Sequence, residues 1–285
     1  MFSAIAEAKP PKLLVVADGA RRDRDDEAAL CAQARRIIER VDWDCDVVTN
    51  FSEENLGCRK RIATGLDWVF QLVEEAVIVE DDCLPHPSFF RFCDELLERY
   101  RDDCRVMSIS GDNFQPGRPT SASYYFSRFP HVWGWATWRR AWRHYDEQMR
   151  LWPQFLDARA IEGIVHPSSV GYWSDILQSV HDNRIDTWDY QWTFACWTQG
   201  GLTALPSVNL VSNIGFRADA THTTAVSAFA ALPSGEMRFP LTHPSFVLPD
   251  PRADRHTQRT QYRGPSRWQR LTHRLRHLAG AMDRA

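Results

Sequence analysis

The chain has 285 residues, 44% hydrophobic and 25% charged, a balance that suits a globular protein and excludes disordered and collagen-like chains. Its formal charge of −3 is split: Pro251 to Ala285 carry nine arginines and two aspartates, a net +7, leaving −10 on residues 1–250. An acidic body of this kind is a poor general partner for nucleic acid.

Leu13–Ala17 is a continuous apolar run that ends at Asp18-Gly19, as a buried strand ends at a loop. Leu30, Cys31, Ala34, Ile37, Ile38 and Val41 then recur at helical spacing. Val47 and Val48 mark a second strand closed by Thr49-Asn50, and Ile62, Leu66, Val69, Phe70 and Val73 a second helix. Val77–Val79 is a third strand running into Glu80-Asp81-Asp82. Ser88 is placed to cap a helix whose apolar face is Phe89, Phe92, Cys93, Leu96, Leu97 and Tyr100. Val106–Ile109 is the fourth strand. This alternation predicts an α/β fold: a mostly parallel sheet with flanking helices, and ligands at the carboxyl ends of its strands.

From Phe114 the pattern is irregular and rich in tryptophan, which suits ligands with flat apolar faces, sugars among them. Helices are expected over Thr137–Tyr145, Gly171–Asp182 and Tyr190–Thr198, and extended pieces over Leu202–Leu205 and Val208–Val211. A linker-like stretch from Pro244 to Pro265 precedes a basic amphipathic segment, residues 267–285, with Trp268, Leu271, Leu275 and Leu278 on one face. Such a helix lies on anionic lipid or packs on the body or a second subunit. Seven cysteines without a Cys-x-x-Cys pair predict reduced, mostly buried thiols. No apolar run approaches the roughly 20 residues that span a bilayer, and Met1–Pro10 lacks a signal-peptide layout. The expected location is cytoplasmic, with the inner face of the membrane open through the tail.

Three adjacent carboxylates at a strand end repel one another unless something offsets their charge. Mg²⁺ or Mn²⁺, which take carboxylate and phosphate oxygens, would do so; a solvated acidic turn is the plain alternative. Arg59-Lys60-Arg61 opens a helix, where cations are disfavoured unless an anion is near, and its alternative is a solvated basic turn. Asp219–Thr224 gathers a carboxylate, His222 and hydroxyls in what is otherwise an ordinary surface loop. Walker A and Gly-x-Gly-x-x-Gly patterns are absent.

Asn55-Leu56-Gly57, Glu80-Asp81-Asp82, Ser108–Asn113, Trp133-Gly134-Trp135, Trp188–Trp192 and Asn213–Thr224, in this order, resemble glycosyltransferases of the GT-A fold. The closest resemblance is to bacterial sugar transferases and haemolytic-type proteins, with a more distant one to N-acetylglucosaminyltransferase I. It covers roughly Pro11 to Thr224 and implies a Rossmann-like domain over residues 1–250. Residues 1–113 would be its nucleotide-binding half, 114–250 its acceptor and donor-sugar half, and 251–285 a basic linker and tail.

The implied activity is transfer of a sugar from a nucleotide-diphosphate sugar, UDP favoured, to a glycan or lipid-linked acceptor, metal-dependent and with inversion. The resemblance assigns the metal to Asp82, with His222 a further ligand. Nucleotide and donor binding fall to Asp18, Arg59, Arg61, Glu80, Asp81, Trp133, Gly134 and Trp135. Asp189 is the implied catalytic base; as a plain residue it would cap a helix, with Asp186 and Asp175 as substitutes. The family's usual first strand has no counterpart, so the edge beside Leu13–Ala17 is expected to be unpaired or covered by another chain. A catalytically silent carbohydrate- or nucleotide-binding protein on the same scaffold is the alternative, and a nucleotidyltransferase a third.

Overall fold

The computed structural model describes residues 1–115, 117, 121–216 and 232–262. Helix α1 (Phe2–Ala8) leads into β1 (Lys12–Ala17); α2 (Glu27–Arg35) and a 3-10 turn then cross to β2 (Asp46–Phe51). These strands pair in parallel, Leu14 opposite Val48. Next come α3 (Gly57–Leu72), β3 (Glu75–Ile78), β4 (Cys83–Pro85), α4 (Ser88–Arg99) and β5 (Val106–Ser110). The second half adds β6 (Tyr124–Ser127), β7 (Trp135–Trp138), α5 (Arg139–Trp142), α6 (Trp152–Asp157), α7 (Pro167–His181) and α8 (Asp189–Thr198). It closes with β8 (Leu202–Pro206), β9 (Val211–Asn213) and α9 (Pro251–Thr260).

The fold is α/β, but the central sheet is mixed and mostly antiparallel, which corrects the expected parallel sheet. Its order is β3-β7-β5-β8-β6, and only β5 and β8 run parallel. The reason lies in β7. Strands β3 and β5 do point the same way across α4, as their alternation with helices requires, but β7 inserts between them antiparallel to both. Trp135–Trp138 was expected to border or enter a helix; its four residues are all buried on the two faces of a strand. Among the described residues β1 has a single ladder partner, β2.

The apolar stripe of α4 is buried as its spacing requires: Phe89, Phe92, Cys93 and Leu96 are all fully enclosed against the sheet. Each such side chain contributes about 1.5–3 kcal/mol. Ser88 does not cap from outside; it is the first helical residue, and His86 Nδ1 accepts its N–H at 3.2 Å. On the opposite face α3, α5 and α8 pack around Trp135, Trp142 and Trp192. A third cluster joins α6, α7 and α8. The seven cysteines are free, but only Cys83, Cys93 and Cys196 are buried. No helix among the described residues is long and apolar enough to cross a membrane.

The stretch expected to be a linker contains α9. Asp250 caps it by accepting the N–H groups of Arg252 and Ala253, and Asp254 takes a 2.6 Å bond from Ser127 Oγ on β6. Burial lifts the Asp254 carboxyl from 3.8 to about 6, only partly offset by Ser127 and Arg128. A raised folded pKa means the native state holds the extra proton, so stability falls as pH rises through that window. Urea titrations from pH 4 to 7 are expected to show Asp254→Asn gaining on the wild type by about 3 kcal/mol at most. The basic tail beyond 262 and Asp219–Thr224, with His222, lie outside the described residues.

Candidate active site

The turn after β3 is closed by a 3.1 Å bond from the Cys83 N–H to the Glu80 carbonyl, which sets Glu80, Asp81 and Asp82 side by side. Asp82 is held from the partner strand: its carbonyl accepts the Ile214 N–H at 2.8 Å, just past β9. Gly215 stands directly over its carboxylate. A Cβ there would approach Asp82 Oδ2 to 2.3 Å, so no side chain fits at 215. Glu80 is half-buried, and its pKa rises to about 8 through burial first and then the charges of Asp82, Asp189 and Asp81. Two segments more than a hundred residues apart thus meet at one mouth.

Asp189 is the first residue of α8. Trp188 occupies the cap position without a side-chain bond, so Asp189 is not the helix cap. Its Oδ1 accepts the Thr187 hydroxyl. Across the mouth stands the start of α3, where Cys58 is pushed up to about 12 by burial and by Glu80, Asp186, Asp189 and Asp82. Arg59 closes that side, with Nη1 donating to Asn183 Oδ1 at 2.7 Å and Nε 3.5 Å from Asp186 and 3.6 Å from Glu147. Asp186 and Asp175 are exposed.

The anion that the start of α3 calls for belongs to the chain itself. Asp18 accepts the N–H groups of Leu56, at 2.9 Å, and Gly57, at 3.0 Å, together with that of Gly19. This bonding places Asp18 as a cap from a distance, in a loop-to-helix clamp that Asn55 completes through its side-chain amide. Arg61 is 8% exposed, and its Nη2 donates to the carbonyl and side-chain oxygen of Asn50, both at 2.7 Å. It ties α3 to β2.

Trp133 and Gly134 lie just before β7, beside β9 and the residues that follow it. Gly134 has φ 70°, and a Cβ would meet Val211 at 2.7 Å, so glycine is required by both backbone and space. Trp133 is half-buried between Phe114, at 5.3 Å between ring centres, and Phe216, at 5.4 Å. Its N–H donates to the buried Asp112 carboxylate at 3.1 Å. Trp135, by contrast, is fully enclosed and stacks on Trp188 at 5.5 Å, so its side chain presents no surface to a ligand. Phe114 has no distinguishing signal in the sequence, and Gly215 and Phe216 only their place in the Asn213–Thr224 segment; β4–β9 pairing and contact with Trp133 give them their neighbours.

Among the described residues no group of three His, Cys, Asp or Glu side chains is placed to hold a metal ion. The donor chemistry nevertheless suits a hard divalent cation, since Glu80, Asp81 and Asp82 offer adjacent carboxylate oxygens. Comparison with protein-family models and with curated proteins returns no match to this chain.

Proposed function

We propose that this chain is a glycosyltransferase of the GT-A type, moving a sugar from a nucleotide-diphosphate sugar, UDP favoured, to a glycan or lipid-linked acceptor. One observation carries the reading: the strand-end carboxylates and Asp189 share a mouth, and their charges act on one another at Glu80. An inverting transfer needs two regions of opposite duty. One holds a diphosphate leaving group; the other removes a proton from the incoming hydroxyl.

Asp82 would hold Mn²⁺ or Mg²⁺, with Asp81 and Glu80 facing the nucleotide and donor; the ion when bound neutralises charge on the departing diphosphate. His222 is the further ligand in this reading. Trp133 and Gly134 form the floor for the donor sugar, where the glycine lets backbone approach closely. The acceptor oxygen bonds to the anomeric carbon as the bond from that carbon to the diphosphate oxygen breaks and its electron pair leaves with the diphosphate. The acceptor proton passes to the Asp189 carboxylate.

Thermal-shift titration with UDP, GDP, dTDP and CDP, each with and without Mn²⁺, tests the donor side. A shift with one nucleotide that requires Mn²⁺ and is lost in Asp82→Ala is expected; at 100 times Kd it amounts to about 2.7 kcal/mol. Absence of any shift with all four would overturn the reading. The bonds that Asp18 and Arg61 make within the chain favour the silent binding protein as the second reading. Nucleotide binding without turnover of any sugar nucleotide would select it.

A further inference from the structure

Segments far apart in the sequence are stitched together beside Trp133, and a buried acid stands among them. The Gly111 N–H donates to the Gly134 carbonyl at 2.8 Å, and the Gly111 carbonyl accepts the Leu210 N–H at 2.8 Å. The Asn113 N–H donates to Asn209 Oδ1 at 3.0 Å. Between Gly111 and Asn113 lies Asp112, fully enclosed just past β5. Its Oδ2 accepts the Trp133 N–H at 3.1 Å and lies 3.4 Å from Ser110 Oγ. Its Oδ1 has no hydrogen-bond partner among the described residues.

Stability alone does not call for an acid at this place. A carboxyl enclosed with an unpartnered oxygen costs free energy, and an apolar side chain of similar size would not. Burial holds Asp112 well above the usual carboxylate range, although the Trp133 N–H and the Ser110 hydroxyl pull the other way. What the carboxyl fixes is the backbone of Trp133. The Trp133 ring is half-buried and meets Phe216 edge-on at 5.4 Å. Phe216 follows Gly215, which stands over the Asp82 carboxylate. Contacts therefore run from Asp112 through Trp133 and Phe216 to the strand-end acids.

We propose that Asp112 is a positioning residue for the donor sugar, holding Trp133 by its backbone against the residues that close over Asp82. The proposal deepens the transferase reading and rests on it for Trp133 as the floor beneath that sugar. A fully enclosed group of this kind acts through Trp133 and not on the sugar itself.

The experiment is NMR of the full chain carrying ¹⁵N-labelled tryptophan, as wild type, Asp112→Asn and Asp112→Leu. The Trp133 backbone amide is picked out of the twelve tryptophan amides by Trp133→Phe. Each protein is titrated, in Mn²⁺, with UDP, GDP, dTDP and CDP, and with UDP-glucose, UDP-galactose, UDP-N-acetylglucosamine, GDP-mannose and dTDP-glucose. In the wild type the Trp133 amide is expected to move with a sugar nucleotide and to stay in place with the bare diphosphate. Asp112→Asn keeps an acceptor for the Trp133 N–H and is expected to bind both with wild-type affinity. Asp112→Leu removes the acceptor. It is expected to bind the sugar nucleotide at least about five-fold more weakly, the weight of one hydrogen bond, with affinity for the bare diphosphate unchanged. A merely structural role would lower both affinities together, and that result overturns the proposal. A wild-type Trp133 amide that ignores the sugar overturns it without recourse to any variant. In both cases nucleotide binding stands, and the transferase reading with it. A wild type that binds none of the nucleotides overturns that reading and the proposal together.

Discussion

Asp189→Asn is expected to lower sugar transfer by about 10²–10⁴-fold, the span over which a positioned general base acts. The loss should fall on kcat, with donor KM unchanged, because the amide keeps the shape of the carboxylate and loses only its basicity. The variant retains its fold for a local reason. Its Oδ1 still accepts the Thr187 hydroxyl, and Trp188 and Trp192 anchor α8 in the core. Loss of one negative charge from the first turn costs about 0.3–1 kcal/mol. A kcat within a few-fold of the wild type would move the base to Asp186 or Asp175. Those two start from a weaker position, since both are exposed and Asp186 lies against Arg59.

Trp135→Ala is the substitution expected to cost the most stability, about 3–5 kcal/mol as read from the urea midpoint. The indole is fully enclosed between Trp188, Trp192 and Trp142, with ring centres 5.5, 5.4 and 6.3 Å away. Its Nε1 has no partner among the described residues, so the loss is of packing and not of a hydrogen bond. The consequence reaches the site, because Trp188 immediately precedes Asp189. A cavity under Trp188 loosens the start of α8, and transfer is expected to fall with stability. Trp135→Phe, which refills much of the space, separates the two effects: stability largely recovers, and transfer recovers with it if Trp135 acts only through packing. A stable Trp135→Phe that remains inactive would show that the indole sets the position of Trp188 and Asp189 beyond filling space.

The elements of the first half were legible because each is dictated by residues close in sequence. The stripe from Phe89 to Leu97 can bury itself only as a helix, and Val106–Ile109 only as an enclosed strand. The acidic turn at Glu80 and the start of α8 at Asp189 were legible for the same reason, being local patterns at element ends. Trp135–Trp138 was not. Its helix-forming successors bias the reading, and only a place between β3 and β5 makes an extended Trp-Ala-Thr-Trp favourable. The parallel sheet failed with it, since direction between neighbours depends on which strand inserts where.

The same division runs through the site. Sequence alone determined the acidic body, the strand and helix repertoire of residues 1–113 and the chemistry of Glu80-Asp81-Asp82, because composition and periodicity are properties of short segments. Only the tertiary structure decided which charges meet. It bonded Asp18 to the backbone at the start of α3, enclosed Arg61 against Asn50, closed Gly215 over Asp82, and brought Glu80, Asp82 and Asp189 within reach of one another's charge. Those outcomes follow from packing between distant segments, where burial raises the cost of every unpaired charge and so selects the partners.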